Sequence, residues 1–242
     1  MSTSQTPKGS LSEVTLASQY LGTTETLLIY TPPFYSPLYS YPVLYAQDGR
    51  DYLSLGRLPG LLDSMLDKRE IQNLIVVFIP VEKEKRRSRY HPDGEEFDAY
   101  MRFMAEEVAP YMDQHFATEP LSGGRTLIGD SLGGTVSLAA AIRYPHTFGN
   151  VASQSGALYE SFYNLAANSQ SFEQLSLYLE IGTKETAVST SYGTIDLFTP
   201  HQRFVELLQQ KKATFHLEIS EGDHTWEHWQ AHLPQIIRYF YS

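Results

Sequence analysis

The residues of this sequence that could do chemistry start with Gly129, Asp130, Ser131, Leu132 and Gly133, a GxSxG pentapeptide with a further glycine, Gly134, behind it. That pattern has mechanical meaning only between a strand and a helix, where a sharp turn carries the serine hydroxyl at its tip and the neighbouring residues must be small. The context is met, because residues 125–128 read as extended and residues 135–144 as a helix that stops before Pro145. Ser131 is therefore a candidate nucleophile. The amide of Leu132, opening the helix, is a candidate donor to the oxyanion formed when a serine attacks a carbonyl. A phosphate-loop reading of the same glycines fails, since the segment has no lysine and no GKS or GKT ending.

A serine nucleophile needs a base, and the base needs an acid to hold its tautomer. Of eight histidines, His91 and His115 precede Ser131, His146 follows Pro145 at a helix end, His201 opens a helix and His216 lies inside an alternating strand. His224 alone follows a predicted strand, residues 214–220, on the short turn Glu221, Gly222, Asp223. It is the expected base. Glu185, just past a strand at residues 177–181, is the expected acid, with Asp196 as the alternative. The second oxyanion donor is expected from the loop Asp48, Gly49, Arg50 after an earlier strand, through the amide of Arg50 or of Gly49.

A second motif competes. His224, Thr225, Trp226, Glu227 and His228 spell HxxEH, a zinc-hydrolase pattern, and His232 continues the same helical face. No acidic residue follows Glu227 to complete such a site, and Gly222 and Asp223 read as a turn. The expectation is no metal and no cofactor, with His228 and His232 as packing or surface groups.

Elements must hold these groups, and the composition limits which. The chain has 242 residues, 42% hydrophobic and 19% charged, with a net charge of −10 and no cysteine. That removes thiolate catalysis, disulfides and cysteine-based metal centres, and it disfavours a nucleic-acid partner. No apolar run approaches the roughly 18 residues of a membrane span. Residues 1–10 lack a basic stretch followed by an apolar one, so no leader and a cytoplasmic location are expected.

Residues 14–20 and 26–30 read as an antiparallel hairpin, residues 41–46 as a short strand, 53–68 as a helix and 74–80 as a strand buried on both faces. The basic island EKEKRRSR at residues 82–89 reads as a solvated loop; the other reading is a patch that steers an anionic substrate through Arg86 and Arg89. Residues 98–116 form the longest predicted helix, kinked at Pro110. Strand at 149–153, helical excursion at 159–174, helix at 201–211 and a terminal helix over 226–241 around Pro234 complete the alternation. Strands alternating with helices argue for one α/β domain, residues 1–242, built as three α/β/α layers around a mostly parallel central sheet.

The chain resembles the α/β hydrolases of the esterase D and enterochelin esterase group. The segments that carry the resemblance are YPVLYAQDG at residues 41–49, the run from Leu74 through Arg89, Tyr90, His91 and Pro92, VAPYMDQHF, GDSLGG at 129–134, SQSGALY at 153–159 and GDHTWEHW at 222–229. The resemblance implies serine esterase chemistry, with Ser131 and His224 at the family's nucleophile and base and the amides of Leu132 and the Asp48 loop as its oxyanion hole. Where many relatives have an Arg, two residues and then Glu before the aromatic, this chain has Arg86, Arg87, Ser88, Arg89, Tyr90.

The expected activity is hydrolysis of a small-molecule carboxylic ester through an acyl-enzyme. A noncatalytic binding protein that keeps the fold and an acyltransferase are the alternatives. Asp48, Arg86, Arg89, Tyr90, Tyr159 and Trp226 are candidate substrate-binding residues, although the aromatic ones read equally well as packing. The substrate divides between siderophore trilactones and small generic or acylated-sugar esters, and oligomeric state stays open.

Overall fold

The computed structural model describes residues 6–190 and 193–242; residues 1–5, half of the segment tested above for a leader, lie outside the described residues. β1 (Ser10–Ala17) and β2 (Thr24–Thr31) form the expected antiparallel hairpin. β3 (Val43–Gln47) follows and is buried along its whole length. The single helix predicted over residues 53–68 is two, α1 (Gly49–Ser54) and α2 (Leu58–Asp67). Arg57, held in the left-handed region at φ 50°, breaks it, and a side chain on Gly56 would meet the Tyr52 carbonyl at 2.8 Å.

β4 (Ile75–Ile79), the buried IVVFI run, leads into α3 (Lys83–Tyr90). The basic island is therefore a helix and not the solvated loop expected, because Arg89 and Tyr90 turn inward and find partners there. α4 (Phe97–Arg102), a π-helical turn (Phe103–Val108) and α5 (Ala109–His115) make up the long predicted helix. The wide turn lies just before Pro110, where the missing N–H cannot continue the regular ladder.

Next come β5 (Arg125–Asp130), α6 (Leu132–Arg143), β6 (Asn150–Gln154), α7 (Glu160–Ala167) and β7 (Ser176–Gly182). A small hairpin that the sequence reading missed, β8 (Val188–Thr190) with β9 (Gly193–Ile195), precedes α8 (Phe198–Gln210). β10 (Thr214–Ser220) and α9 (Trp226–Tyr241) close the fold.

Eight strands form one sheet in the order β1-β2-β4-β3-β5-β6-β7-β10. β2 is antiparallel to both neighbours, and every adjacent pair from β4 to β10 is parallel. Strands with no polar face need cover on both sides. One side is covered by Leu58, Leu62 and Met65 of α2 with Leu233, Ile236 and Ile237 of α9. The other is covered by Tyr100, Met104, Val136, Ala140, Phe162 and Phe204 from the remaining long helices. This is the three-layer arrangement expected, mostly parallel at its centre.

The order of strand addition reverses at β3, since the chain adds β4 on one side of it and then β5 on the other. In an open α/β sheet such a reversal leaves a crevice at the carboxyl ends of the two strands. Asp48 follows β3 and Ser131 follows β5, so the switch point places both loops at that crevice.

Candidate active site

Ser131 sits at φ 53° and ψ −123°, a conformation costly for any residue with a side chain, at the junction of β5 and α6. The turn is tight enough that a Cβ on Gly129 would stand 2.3 Å from the carbonyl carbon of Gly133, and one on Gly134 would stand 2.5 Å from Ser153 Oγ. The Ser131 amide is held by the Gln154 carbonyl at 2.8 Å. With the backbone fixed from both sides, the hydroxyl projects from the turn.

The structure brings three of the predicted residues together. Ser131 Oγ lies 3.0 Å from His224 Nε2, and His224 Nδ1 lies 2.7 Å from Glu185 Oε2. Three strands supply them: Ser131 follows β5, Glu185 follows β7 and His224 follows β10. Glu185 is fully buried, and its other oxygen accepts from Ser155 Oγ at 2.7 Å and from the Gly182 amide at 2.9 Å. Burial opposes ionisation of this carboxyl, but the hydrogen bonds from His224, Ser155 and Gly182 outweigh it and hold the group below its ordinary range. An ionised acid at this place fixes Nδ1 as the protonated nitrogen and leaves Nε2 to accept the serine proton. Asp196, the alternative acid, is exposed and instead accepts from the Thr199 amide at the start of α8.

Two residues of this network were not singled out in the sequence for such a role. Ser155, at φ 48°, both donates to Glu185 and accepts from Trp229 Nε1 at 2.9 Å. The Trp229 indole in turn meets the His224 ring edge-on, with centroids 4.8 Å apart. The position of Ser155 just past β6 is the signal that could have drawn notice to it.

On the oxyanion side, Leu132 begins α6 and Gly49 begins α1, so the first amides of both helices have no intrahelical acceptor. Gly49 has no room for a side chain, since a Cβ there would lie 2.5 Å from the Ile79 nitrogen. Asp48, in the left-handed region at φ 50°, gives its own amide to Tyr90 Oη at 3.1 Å. That leaves Gly49 and Arg50 as the amides at the head of α1.

The candidate substrate residues separate. Arg86 closes two hydrogen bonds on Asp48, Nε to Oδ1 at 2.9 Å and Nη2 to Oδ2 at 2.8 Å, and also reaches the Asp130 carbonyl at 3.4 Å. Arg89 is buried and bound to Glu25 through two bonds of 2.9 Å and to Glu96 at 3.0 Å. Tyr90 is fully buried against Tyr100. All three are engaged within the protein, Arg86 and Arg89 with carboxylates and Tyr90 in the aromatic packing that the sequence also allowed. Tyr159 stands against the His91 ring at 4.3 Å, and Trp226, half-buried, lies edge-on to Tyr52 at 4.9 Å.

Asp130 is buried beside Asp48, and the two carboxylates share one guanidinium. Desolvation first, and Asp48 second, push the Asp130 carboxyl up to about 8, against the opposing pull of Arg86. A cleft of about 380 Å³ is lined by Thr24, Glu25, Arg50, Val81, Lys85 and Arg89 among others. No helix among the described residues is long and apolar enough to cross a membrane.

A three-layer sheet with a strained serine at the β5–α6 turn and a histidine on the loop after a later strand defines an α/β-hydrolase fold. Comparison with known proteins agrees at that level. Residues 18–240 match the family model described as "Putative esterase", and the chain belongs to that family. It is 44% identical over 232 residues to the uncharacterized protein YjcH of Bacillus subtilis (strain 168), covering 95% of this chain and 97% of that one. Among solved structures, a ferulic acid esterase superposes with a TM-score of 0.79 at 16% identity, covering 96% of this chain and 98% of that one. The enterobactin esterase FES from Shigella flexneri, solved in the presence of enterobactin, gives 0.83 at 19% identity over 98% of this chain and 60% of that longer one. At such identities the structural likeness speaks for the fold, and the family match makes the chain an esterase, a hydrolase of carboxylic esters.

Proposed function

We propose that this esterase is a single-domain serine hydrolase that works through an acyl-enzyme, with Ser131 as nucleophile, His224 as base and Glu185 as the acid that orients it. The observation that carries the reading is the unbroken chain from Ser131 Oγ to His224 Nε2 at 3.0 Å and from His224 Nδ1 to Glu185 Oε2 at 2.7 Å. In the first half-reaction Ser131 Oγ bonds to the ester carbonyl carbon while its proton passes to His224 Nε2. The amides of Leu132 and of Arg50 or Gly49 receive the oxyanion. Collapse breaks the bond to the alkoxy oxygen, which leaves with the proton from His224. Water then repeats the sequence on the acyl-enzyme, giving up a proton to His224 and releasing the acid and free Ser131.

The substrate reading follows from where the arginines are. Arg86 and Arg89 are neutralised by Asp48, Glu25 and Glu96, which leaves neither guanidinium free to hold a highly anionic ligand. This favours a small, neutral ester over a ferric catecholate trilactone. The reading concerns a cytoplasmic enzyme that acts on small molecules.

The test is intact-protein mass after treatment with a fluorophosphonate. One adduct on the wild type, absent from Ser131→Ala and His224→Ala, is the expected result; no adduct on folded wild type rejects the mechanism. Turnover of a methyl hydroxycinnamate should exceed that of a ferric catecholate trilactone, and addition of alcohol should leave the free acid as the main product. A dominant transesterified product would make the chain an acyltransferase.

A further inference from the structure

The HxxEH pattern is not spent on catalysis as a unit, because His224 turns toward Ser131 and Glu185. Its second histidine, His228, and His232 one turn later face a different carboxylate. Glu180, on β7, is fully buried, and its Oε1 lies 3.0 Å from His228 Nε2 and 3.3 Å from His232 Nδ1. Its Oε2 is occupied by Gln154 Nε2 at 2.6 Å.

Around Oε1 the two imidazoles stand at ion-pair distance but off the hydrogen-bond axis. Glu180 Oε1 and His228 Nε2 are both buried, and neither makes an aligned hydrogen bond despite their closeness. A buried carboxylate oxygen without an aligned hydrogen bond is costly. The separations match another arrangement, since a tetrahedral zinc with bonds of about 2.0–2.1 Å sets its ligands roughly 3.3 Å apart. All three candidate ligand atoms lie within 4.8 Å of one another. Two histidines at i and i+4 on a helix with a carboxylate from the facing strand make a donor set of two nitrogens and one oxygen, suited to borderline divalent ions.

We propose that Glu180, His228 and His232 bind one divalent transition-metal cation, zinc foremost, which pins the first turns of α9 to β7. His232 would take the cation on Nδ1 and keep its other nitrogen protonated toward Ser220 Oγ, 3.2 Å away. That is the outer-shell bond that fixes a metal-bound imidazole. Binding gives up the contact between Nδ1 and the His228 carbonyl at 2.9 Å. Gln154 ties the site to its surroundings, since its amide nitrogen also donates to the Trp229 carbonyl at 3.0 Å. Three protein ligands leave a position open to water.

The probe is cobalt, followed by displacement with zinc, on chelator-treated full-length protein. The expected result is one cobalt per chain with the intense visible bands of low coordination, abolished by one equivalent of zinc. His232→Ala, at the most solvent-accessible ligand, should stay folded by circular dichroism and bind more than about tenfold more weakly, a loss that even outer-shell partners can produce. His224→Ala and His216→Ala should bind as the wild type does. Zinc should raise the melting temperature of the wild type and not that of His232→Ala. Failure of folded wild type to retain cobalt, or retention undiminished in both His232→Ala and Glu180→Gln, overturns the proposal. Loss of binding in His224→Ala would equally overturn it in favour of the HxxEH set.

Discussion

Arg86 and Asp48 face each other through two parallel hydrogen bonds of 2.9 and 2.8 Å, joining α3 to the loop that opens α1. The consequence lies in the backbone. Asp48 holds a left-handed conformation, its amide is taken by Tyr90, and its carboxylate is taken by Arg86, so the next amides are aimed from a loop fixed at three points. Arg86→Ala strands the buried carboxylate of Asp48 and leaves the protonated Asp130 carboxyl beside it without its guanidinium neighbour. Unfolding in urea should show a loss of about 3 kcal/mol. Ester turnover should fall at unchanged KM, because the amides proposed as oxyanion donors lose their position. Arg86→Lys should recover stability only in part, since an ammonium cannot make the paired contact.

Glu185→Gln should lower kcat by about 10³–10⁴-fold while the protein stays folded, as expected when the base loses its correct tautomer. Asp196→Asn, at a helix start away from His224, should leave kcat within a factor of about two. Steady-state kinetics on one activated ester decide between the two acids.

Ser155→Ala removes a donor to Glu185 and leaves the Trp229 indole N–H without its acceptor. A cost of about 1–3 kcal/mol is expected for the buried group left unpaired. The more specific readout is the pH profile. Hydrogen bonds depress the Glu185 carboxyl, so its contribution to stability and activity is complete above the unfolded value and disappears as pH falls through the folded one. With one bond gone the folded value rises, and the loss of stability in acid should set in at higher pH. A profile that falls in amplitude without moving would assign Ser155 a purely structural role.

Asp130 should act with the opposite sign. Its carboxyl is raised to about 8 in the folded protein, so the native state keeps a proton that the unfolded chain releases near pH 4. Stability from this group is therefore greatest in acid, declines as pH rises from about 4 to about 8, and is level above that. Asp130→Asn should remove the decline, so its stability relative to wild type should grow with pH across that window. Melting temperatures at pH 5, 6.5 and 8 test it.

Gly134→Ala and Gly129→Ala should each destabilise by at least about 3 kcal/mol, the upper range for overpacking. The added methyl at residue 134 meets Ser153 Oγ at 2.5 Å, and that at residue 129 meets the Gly133 backbone at 2.3 Å. Soluble yield and urea midpoint are the measurements.

What could be read in the sequence divides along local and distant causes. The turn around Ser131 was legible because its requirements are written in adjacent residues, and the buried IVVFI run announced a covered parallel strand by itself. His224 was legible from chain order and from the strand before it. The acid stayed open between Glu185 and Asp196, because no local pattern tells which side chain after β7 points inward; Ser155 and the Gly182 amide draw Glu185 in. The basic island was misread as a loop for a related reason. Its partners, Glu25 and Asp48, lie 64 and 38 residues away from Arg89 and Arg86, and charge content alone cannot announce distant carboxylates. Two helices where one was expected after β3 came from a left-handed arginine, which periodicity does not register.

The placement of β10 at the sheet's edge carries a kinetic meaning. The serine and histidine that must meet are 93 residues apart, and the histidine and its acid are 39 apart. Contacts of that span form only after intervening loops have closed, at an entropic cost that local helices do not bear. On the mechanism proposed above, fluorophosphonate reactivity would report completed folding, and during refolding it should return with the slowest phase, after helical signal has recovered. A serine presented by a local turn waits for a histidine that follows the last strand of the chain.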